Sequence, residues 1–377
     1  MSGIYIHIPF CGSRCAYCAF YSTVSSGQSP VEKAYTETLC RELRERCGEA
    51  FSDTINTIYI GGGTPSIMPV ETIGSLLRCI ADNYKVHPDA EITFEANPED
   101  LSAQYLAGLR HTGVNRISMG VQTFNDGLLR FLNRRHNAGR AIQAVNDAHK
   151  AGFDNISIDL IYGIPGQSDT TLQSDILTAI QLPIKHLSAY CLSYEEGTPM
   201  RNLLNSGAIT ETDEDTLNRF YDMLCGQCHA AGFVQYETSN YAMPGYRSRH
   251  NSAYWDGTPY IGIGAAAHSY DGQRIRRWNV ADVQRYIAGA GRDYGCETLT
   301  DNELLEEFVM LGLRRVEGID IGVMRHKFGA DNTGMCLKES NKFIQCGWLK
   351  SENNHIHVTP EGMKRLDYIT AHILRRV

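Results

Sequence analysis

Three cysteines spaced four and three residues apart, in the run Cys11-Gly-Ser-Arg-Cys15-Ala-Tyr-Cys18, are the side chains of this sequence whose types and spacing most directly suggest chemistry. A loop this short lets three thiolates converge, and the next cysteine is as far away as Cys40. A cubane iron–sulfur cluster takes four ligands, so three leave one iron open to an outside molecule. A structural zinc ion is normally closed by four protein ligands. The spacing therefore predicts a cluster with an open iron. The alternatives are a zinc site completed by His7 and reduced thiols packed for bulk.

The elements that must hold this loop are legible as alternating runs. Ile4-Tyr5-Ile6-His7-Ile8 alternates as a strand does, and Pro9 ends it just before the first cysteine. Further strand-like runs follow at Thr57–Ile60, Glu91–Glu95, Arg116–Val121, Asn155–Ile161 and His186–Leu192. Between them lie amphipathic stretches, such as Ile73, Leu76, Leu77 and Ile80, on one helical face. Repeated strand–helix–strand units imply a parallel sheet. Six of them predict an α/β fold, a partial (β/α)6 barrel, with a doubly wound open sheet as the alternative.

Strand periodicity places polar groups on one face. Ser157, Asp159 and Ile161 share a side opposite Ile156, Ile158 and Leu160; Ser118, Gly120 and Gln122 oppose Ile117, Met119 and Val121; Thr93 and Glu95 oppose Ile92 and Phe94. Glu95, Gln122 and Asp159 fall toward the C-terminal ends of their strands, where barrel enzymes carry their sites. Buried carboxylates without partners are costly, so a ligand or paired cation is expected there, the alternative being a structural polar network. The second strand ends in Gly61-Gly62-Gly63-Thr64-Pro65, which lacks dinucleotide and phosphate-loop spacing and permits close approach of a ligand to the backbone.

The CxxxCxxC loop, with Tyr17 before the third cysteine, and the glycine run after the second strand together resemble the radical S-adenosylmethionine (SAM) family. The resemblance implies a [4Fe-4S] cluster on Cys11, Cys15 and Cys18, with the amine and carboxylate of SAM on the open iron and a deoxyadenosyl radical formed on reduction. It also implies SAM contacts at Tyr5, Tyr17, Gly62, Gly63, Thr64, Glu95, Gln122, Arg134 and Asp159. Arg134 adjoins Arg135, and the pair also reads as a solvated basic face.

Within that family the sequence is similar to the coproporphyrinogen-oxidase-like branch. The oxidases carry a fourth cysteine two residues after the third, and here that position is Phe20. They also have an extension before the first strand, whereas this sequence starts a few residues upstream of it. Both departures resemble the heme chaperones of the branch. So does the run His250-Asn-Ser-Ala-Tyr254-Trp255, a motif associated with heme in that group. His250 supplies an imidazole, and Tyr254 and Trp255 flat apolar surface. A purely structural histidine is the alternative, and His268 a rival ligand. The implied function is heme carriage to an acceptor, a respiratory hemoprotein for example, with an electron donor for the cluster. The enzymatic alternative is radical oxidative decarboxylation of coproporphyrinogen III, and whether the protein is an enzyme stays open. Cys225-Gly-Gln-Cys228 lies in a helical pattern and reads as packing rather than redox chemistry.

The division expected is a barrel over 1–235, a connecting segment with the HNxxYW motif over 236–298, and a small, mostly helical, winged-helix-like domain over 299–377. In the last, Leu304, Phe308 and Leu311 fall at helical spacing, an Asn353-Asn354 turn joins two strand-like runs, and Thr359-Pro360 starts a helix bearing Leu366, Ile369 and Ile373. It lacks a concentrated basic stripe apart from Lys364, Arg365, Arg375 and Arg376, so a lid or docking role is favoured over DNA binding. In 377 residues, 42% are hydrophobic and the net charge is −8, which argues against nucleic-acid partners. Twelve scattered cysteines, no signal-like start and no membrane-length apolar run suit a reducing cytoplasm, without stable membrane insertion. A homodimer is compatible with all of this.

Overall fold

Every run read as a strand forms one in the computed structural model, which describes residues 2–49 and 54–374. β1 (Ser2–Ile8), β2 (Ile55–Gly62), β3 (Val86–Ala96), β4 (Arg116–Gln122), β5 (Asn155–Tyr162) and β6 (His186–Cys191) lie side by side in chain order, all parallel. The connecting helices are α1 (Pro30–Glu45), α2 (Val70–Asn83), α3 (Ala103–His111), α4 (Ala138–Lys150) and α5 (Asp169–Gln181), with α6 (Glu214–Ala230) after β6. The stripe Ile73, Leu76, Leu77 and Ile80 of α2 is buried, as its spacing predicts. Beneath the helices lie Ile4, Ile6, Ile58, Ile60, Ile117, Met119, Ile156 and Ile158. Burying each such side chain contributes roughly 1.5–3 kcal/mol relative to leaving it in water.

The opposite, polar face curls inward. Gly62, Glu95, Ser118, Asp159 and Tyr190, from β2 to β6, line a single cavity, as residues on the concave side of a curved wall do. The wall is also longer than six strands. Residues 236–298 contribute β7 (Asn240–Ala242), antiparallel to β6, and α7 (Arg249–Trp255). They then supply β8 (Tyr260–Ile263), parallel to β1 on its free side, and an antiparallel ribbon of β9 (His268–Tyr270), β10 (Ile275–Asn279) and β11 (Tyr294–Thr298). With the two-residue strand Val234–Gln235 paired beside β7, twelve strands form one sheet among the described residues, the parallel part having seven. Gly262 within β8, Pro259 before it and Gly264 after it make the run read as a loop, so no strand is expected there from the sequence.

The C-terminal part has its own apolar cluster, centred on Leu305, Val309, Phe343, Ile356 and Ile369. It comprises α8 (Asp301–Arg314), α9 (Ile321–Gln345, broken at Gly329, φ 85°), the hairpin β12 (Leu349–Glu352) and β13 (His355–Val358), and α10 (Leu366–Leu374). Asn353 and Asn354 both take positive φ (51° and 64°) in the hairpin turn. Thr359 caps the short helix begun by Pro360. Helix, helix, hairpin and helix follow in the order expected of a winged helix; Arg375 and Arg376 lie outside the described residues. Among the described residues no helix is long and apolar enough to cross a membrane.

Candidate cofactor site at the barrel mouth

The cysteine loop leaves β1 at Pro9 and is closed at its base by pairing of Phe10 and Cys11 with Thr23 and Val24. It is tied to the rest of the mouth by the backbone. The Ala16 N–H donates to the Leu132 carbonyl (3.0 Å), the Met200 N–H to that of Ala16 (2.9 Å), and the Asn133 amide to that of Arg14 (2.7 Å). All three thiols line one cavity of about 530 Å³ at the C-terminal ends of the strands. Burial, then the neighbouring Cys15 and Cys11, push the Cys18 thiol up.

His7 is not turned to these thiols. Its Nε2 donates to the Tyr21 carbonyl (3.1 Å), and Nδ1 accepts from the Tyr5 hydroxyl (2.9 Å). Burial lowers its pKa to about 4. Among the described residues no three His, Cys, Asp or Glu side chains converge on a single-ion position. Thiolates that hold a cubane surround several irons rather than one ion.

Opposite the cysteines, the exit of β2 forms a cradle with no room for side chains. A Cβ on Gly63 would stand 3.0 Å from Cys11 Sγ and 2.7 Å from the Phe10 carbonyl oxygen. Gly62 takes φ 111°, and a Cβ there would meet the His7 ring at 2.5 Å. Glu95 reaches this cradle from β3, accepting the Gly62 N–H at Oε2 (3.0 Å) and the Tyr59 hydroxyl at Oε1 (2.5 Å). Its carboxyl is raised by burial. Asp159 is raised to about 7, by burial and then by Glu95.

Arg134 and its neighbour part company. Arg134 turns into the cavity, with Nη1 3.2 Å from Cys15 Sγ and Nη2 donating to Asn97 Oδ1 and the Gly120 carbonyl, both at 2.6 Å. Arg135 pairs with Glu99 and Asp100 at the rim. Gln122 ends β4 at a register shift with φ 73°, facing the cavity with Thr64 and Tyr17. Tyr5 lies one step deeper and reaches the mouth through His7.

This mouth fits a cluster with SAM. It brings together three thiols, a backbone cradle that any Cβ would fill, two buried carboxyls whose charged form a cationic ligand would favour, and a guanidinium at the cluster edge. A bound cluster supplies an electron and an open coordination position, and SAM a reducible sulfonium. Cys11, Cys15 and Cys18 would hold the first; Gly62, Gly63, Glu95 and Asp159 would orient the second.

The HNxxYW segment is elsewhere. It is α7, which closes the barrel floor with its first N–H groups, those of Arg249 and His250, donating to Glu91 (3.0 and 2.9 Å). His250 points up into the barrel and is 2% exposed. Its Nδ1 bonds Thr57 Oγ1 (2.8 Å), its Nε2 the Tyr254 hydroxyl (2.9 Å), and its ring stacks on Tyr59. Burial lowers its pKa to about 3. Both ring nitrogens are thus engaged, one as donor and one as acceptor, and out of reach of an iron outside the barrel. Tyr254 and Trp255 instead line a second, larger cavity toward the C-terminal helices. His268 is exposed and stacks on Trp278. Cys225 and Cys228 sit in α6, with Cys225 Sγ 3.1 Å from the Tyr241 hydroxyl.

Residues 5–178 match the radical SAM superfamily, and residues 299–364 the HemN C-terminal domain. The heme chaperone HemW of Lactococcus lactis is 36% identical over 363 residues, covering 96% of this chain and 94% of that protein. HemW of Bacillus subtilis is 35% identical over 367 residues, covering 96% of each. The chain belongs to the HemW family of radical SAM proteins. The fold is also that of Escherichia coli coproporphyrinogen III oxidase (HemN), with a TM-score of 0.84 at 22% identity, over 100% of this chain and 90% of that one.

Two features of this HemW-family chain bear on the site. Phe20, standing where the oxidases have their fourth cysteine, is 71% exposed at the rim of the thiol cavity. Arg116 is the residue that sequence reasoning missed. It opens β4, is 1% exposed, and acts on Glu95, Asp159, His186 and His250 from inside the barrel. Among the described residues its Nε and Nη1 have no hydrogen-bond partner. Its place before the alternating Ile117, Met119 and Val121 is the only signal the sequence carries.

Proposed function

We propose that this chain is a heme chaperone, carrying a [4Fe-4S] cluster on Cys11, Cys15 and Cys18 with SAM on the open iron, and passing heme to an acceptor hemoprotein. What carries this reading is the near full-length similarity to proteins named heme chaperone HemW. Phe20 in place of a fourth cysteine supports it. SAM then serves structure, dimer state or regulation, and the work is done in the cytoplasm with a respiratory hemoprotein as recipient. Heme contacts are assigned to the α7 segment, with Tyr254 and Trp255 giving apolar surface and His250 holding the helix in place.

The test has two arms on anaerobically reconstituted protein. In one, SAM, reductant and coproporphyrinogen III are supplied and protoporphyrinogen IX is sought; none is expected. In the other, hemin is titrated and the Soret band followed; a saturable shift is expected. Efficient turnover, or no hemin binding by the full chain, overturns the reading.

A further inference from the structure

The larger cavity, about 1300 Å³, lies between the barrel floor and the C-terminal helices rather than at the thiols. Its two sides are aromatic. Tyr254 and Tyr260 meet edge to face at 4.7 Å on the barrel side, and Phe308 and Phe328 lie 5.3 Å apart on the other. The aromatic walls suit a large flat ring, and charged side chains line much of the rest of the cavity.

The cations at its edge are unequal. Arg274, Arg276 and Arg315 are paired with Asp301, Glu307 and Asp256. Lys327, 5.8 Å above the Phe308 ring, joins no ion pair among the described residues. It is the charge left for an incoming carboxylate.

The same cavity contains an imidazole, that of His355, whose Nε2 has an acidic neighbour but no hydrogen bond among the described residues. His355, at the start of β13, has Nδ1 2.9 Å from the Asn353 carbonyl oxygen. A carbonyl only accepts, so Nδ1 carries the hydrogen and the neutral ring keeps its lone pair at Nε2. The neighbour of Nε2, Asp320 Oδ2, stands 3.6 Å away, beyond hydrogen-bond length. Asp320 caps α9 through its other oxygen, which accepts the Val323 N–H (3.0 Å). The His355 side chain is 32% exposed, and His357 stacks on it at 5.7 Å. A backbone-anchored Nδ1–H with an accessible Nε2 is how metal-binding histidines are held. His250 offers no such atom.

We propose that heme is held in this cavity between the two aromatic walls, with His355 Nε2 as an axial ligand to its iron and Lys327 on a propionate. The proposal rests on the heme-chaperone reading and locates its cargo. Coordination forms one Fe–N bond and displaces one water from the iron. No electron moves, and a proton present on Nε2 would pass to solvent.

The experiment titrates hemin into the reconstituted full chain and into His355→Ala, Lys327→Glu and Val323→Trp, a substitution that fills the cavity from α9. Cluster absorption and thermal unfolding serve as fold controls. His355→Ala should bind about tenfold more weakly or worse, with a displaced Soret band that added imidazole restores. Lys327→Glu should weaken binding without moving the band, and Val323→Trp should block it. Wild-type Soret position and affinity in His355→Ala overturns the ligand, and undiminished binding in Val323→Trp overturns the cavity. Failure of wild type itself to bind hemin sinks the chaperone reading, a different result from either.

Discussion

Asp159 shows most directly how single residues tune the mouth of the barrel. Burial and the nearby Glu95 raise its carboxyl to about 7, so it is mostly neutral below that pH and charged above it. A cationic ligand favours the charged form. SAM affinity should therefore increase as pH rises through about 7, by at most about tenfold per pH unit. Asp159→Asn should flatten that profile and weaken binding on the alkaline side, read by isothermal titration of reconstituted protein. A profile unchanged by the substitution would remove Asp159 from the SAM contacts. The linkage has the opposite sign for stability without ligand. A carboxyl whose folded pKa is raised binds its proton more tightly in the native state, so stability falls as pH climbs from 3.8 to about 7. Cys11, Cys15, Cys18 and the glycines were legible because their spacing is local. Arg116, Tyr59 and Asn97 were not, because their partners are brought to them only by neighbouring strands.

Two elements do most of the positioning. The exit of β2 must be bare backbone, since Gly63 packs against both the cysteine loop and a thiol. Gly63→Ala puts a methyl 2.7 Å from a carbonyl oxygen that cannot yield without moving the loop, a strain of about 1–3 kcal/mol. Iron and sulfide content after anaerobic reconstitution should drop well below wild type while circular dichroism is unchanged. Full cluster content would show that the loop is not clamped by the glycine exit. The other element is α7, whose N-terminus caps Glu91 and whose His250 fills the floor beside Gly3. The motif is contiguous in sequence, but its work is divided: His250 faces the barrel, Tyr254 bridges from that histidine to the second cavity, and Trp255 lines the cavity alone.

At the scale of the whole molecule, the C-terminal part is tied to the barrel by exposed and buried charge. Arg247 pairs with Glu317 at 2.6 Å, Arg314 approaches the buried Glu237 at 3.6 Å, and Lys364 meets Asp222 at 2.8 Å. The half-exposed Arg247–Glu317 pair contributes about 0.2–1 kcal/mol. Arg247→Glu should speed amide exchange in α8, and Arg247→Glu with Glu317→Arg should slow it again. An α8 indifferent to both would mean that the pair does not hold the two parts together.

The sequence by itself determined the cysteine loop, the glycine exit, six parallel strands with their inward polar face, and the order of the C-terminal elements. Each of these is written in local spacing, through a period of two or 3.6 or a turn residue. Only the tertiary structure decided that residues 236–298 extend the sheet on both edges, that Arg134 and not Arg135 turns inward, and that His250 is sealed while His355 is open. Those outcomes depend on which surfaces meet across long stretches of chain, and no periodicity within one segment encodes its distant partner.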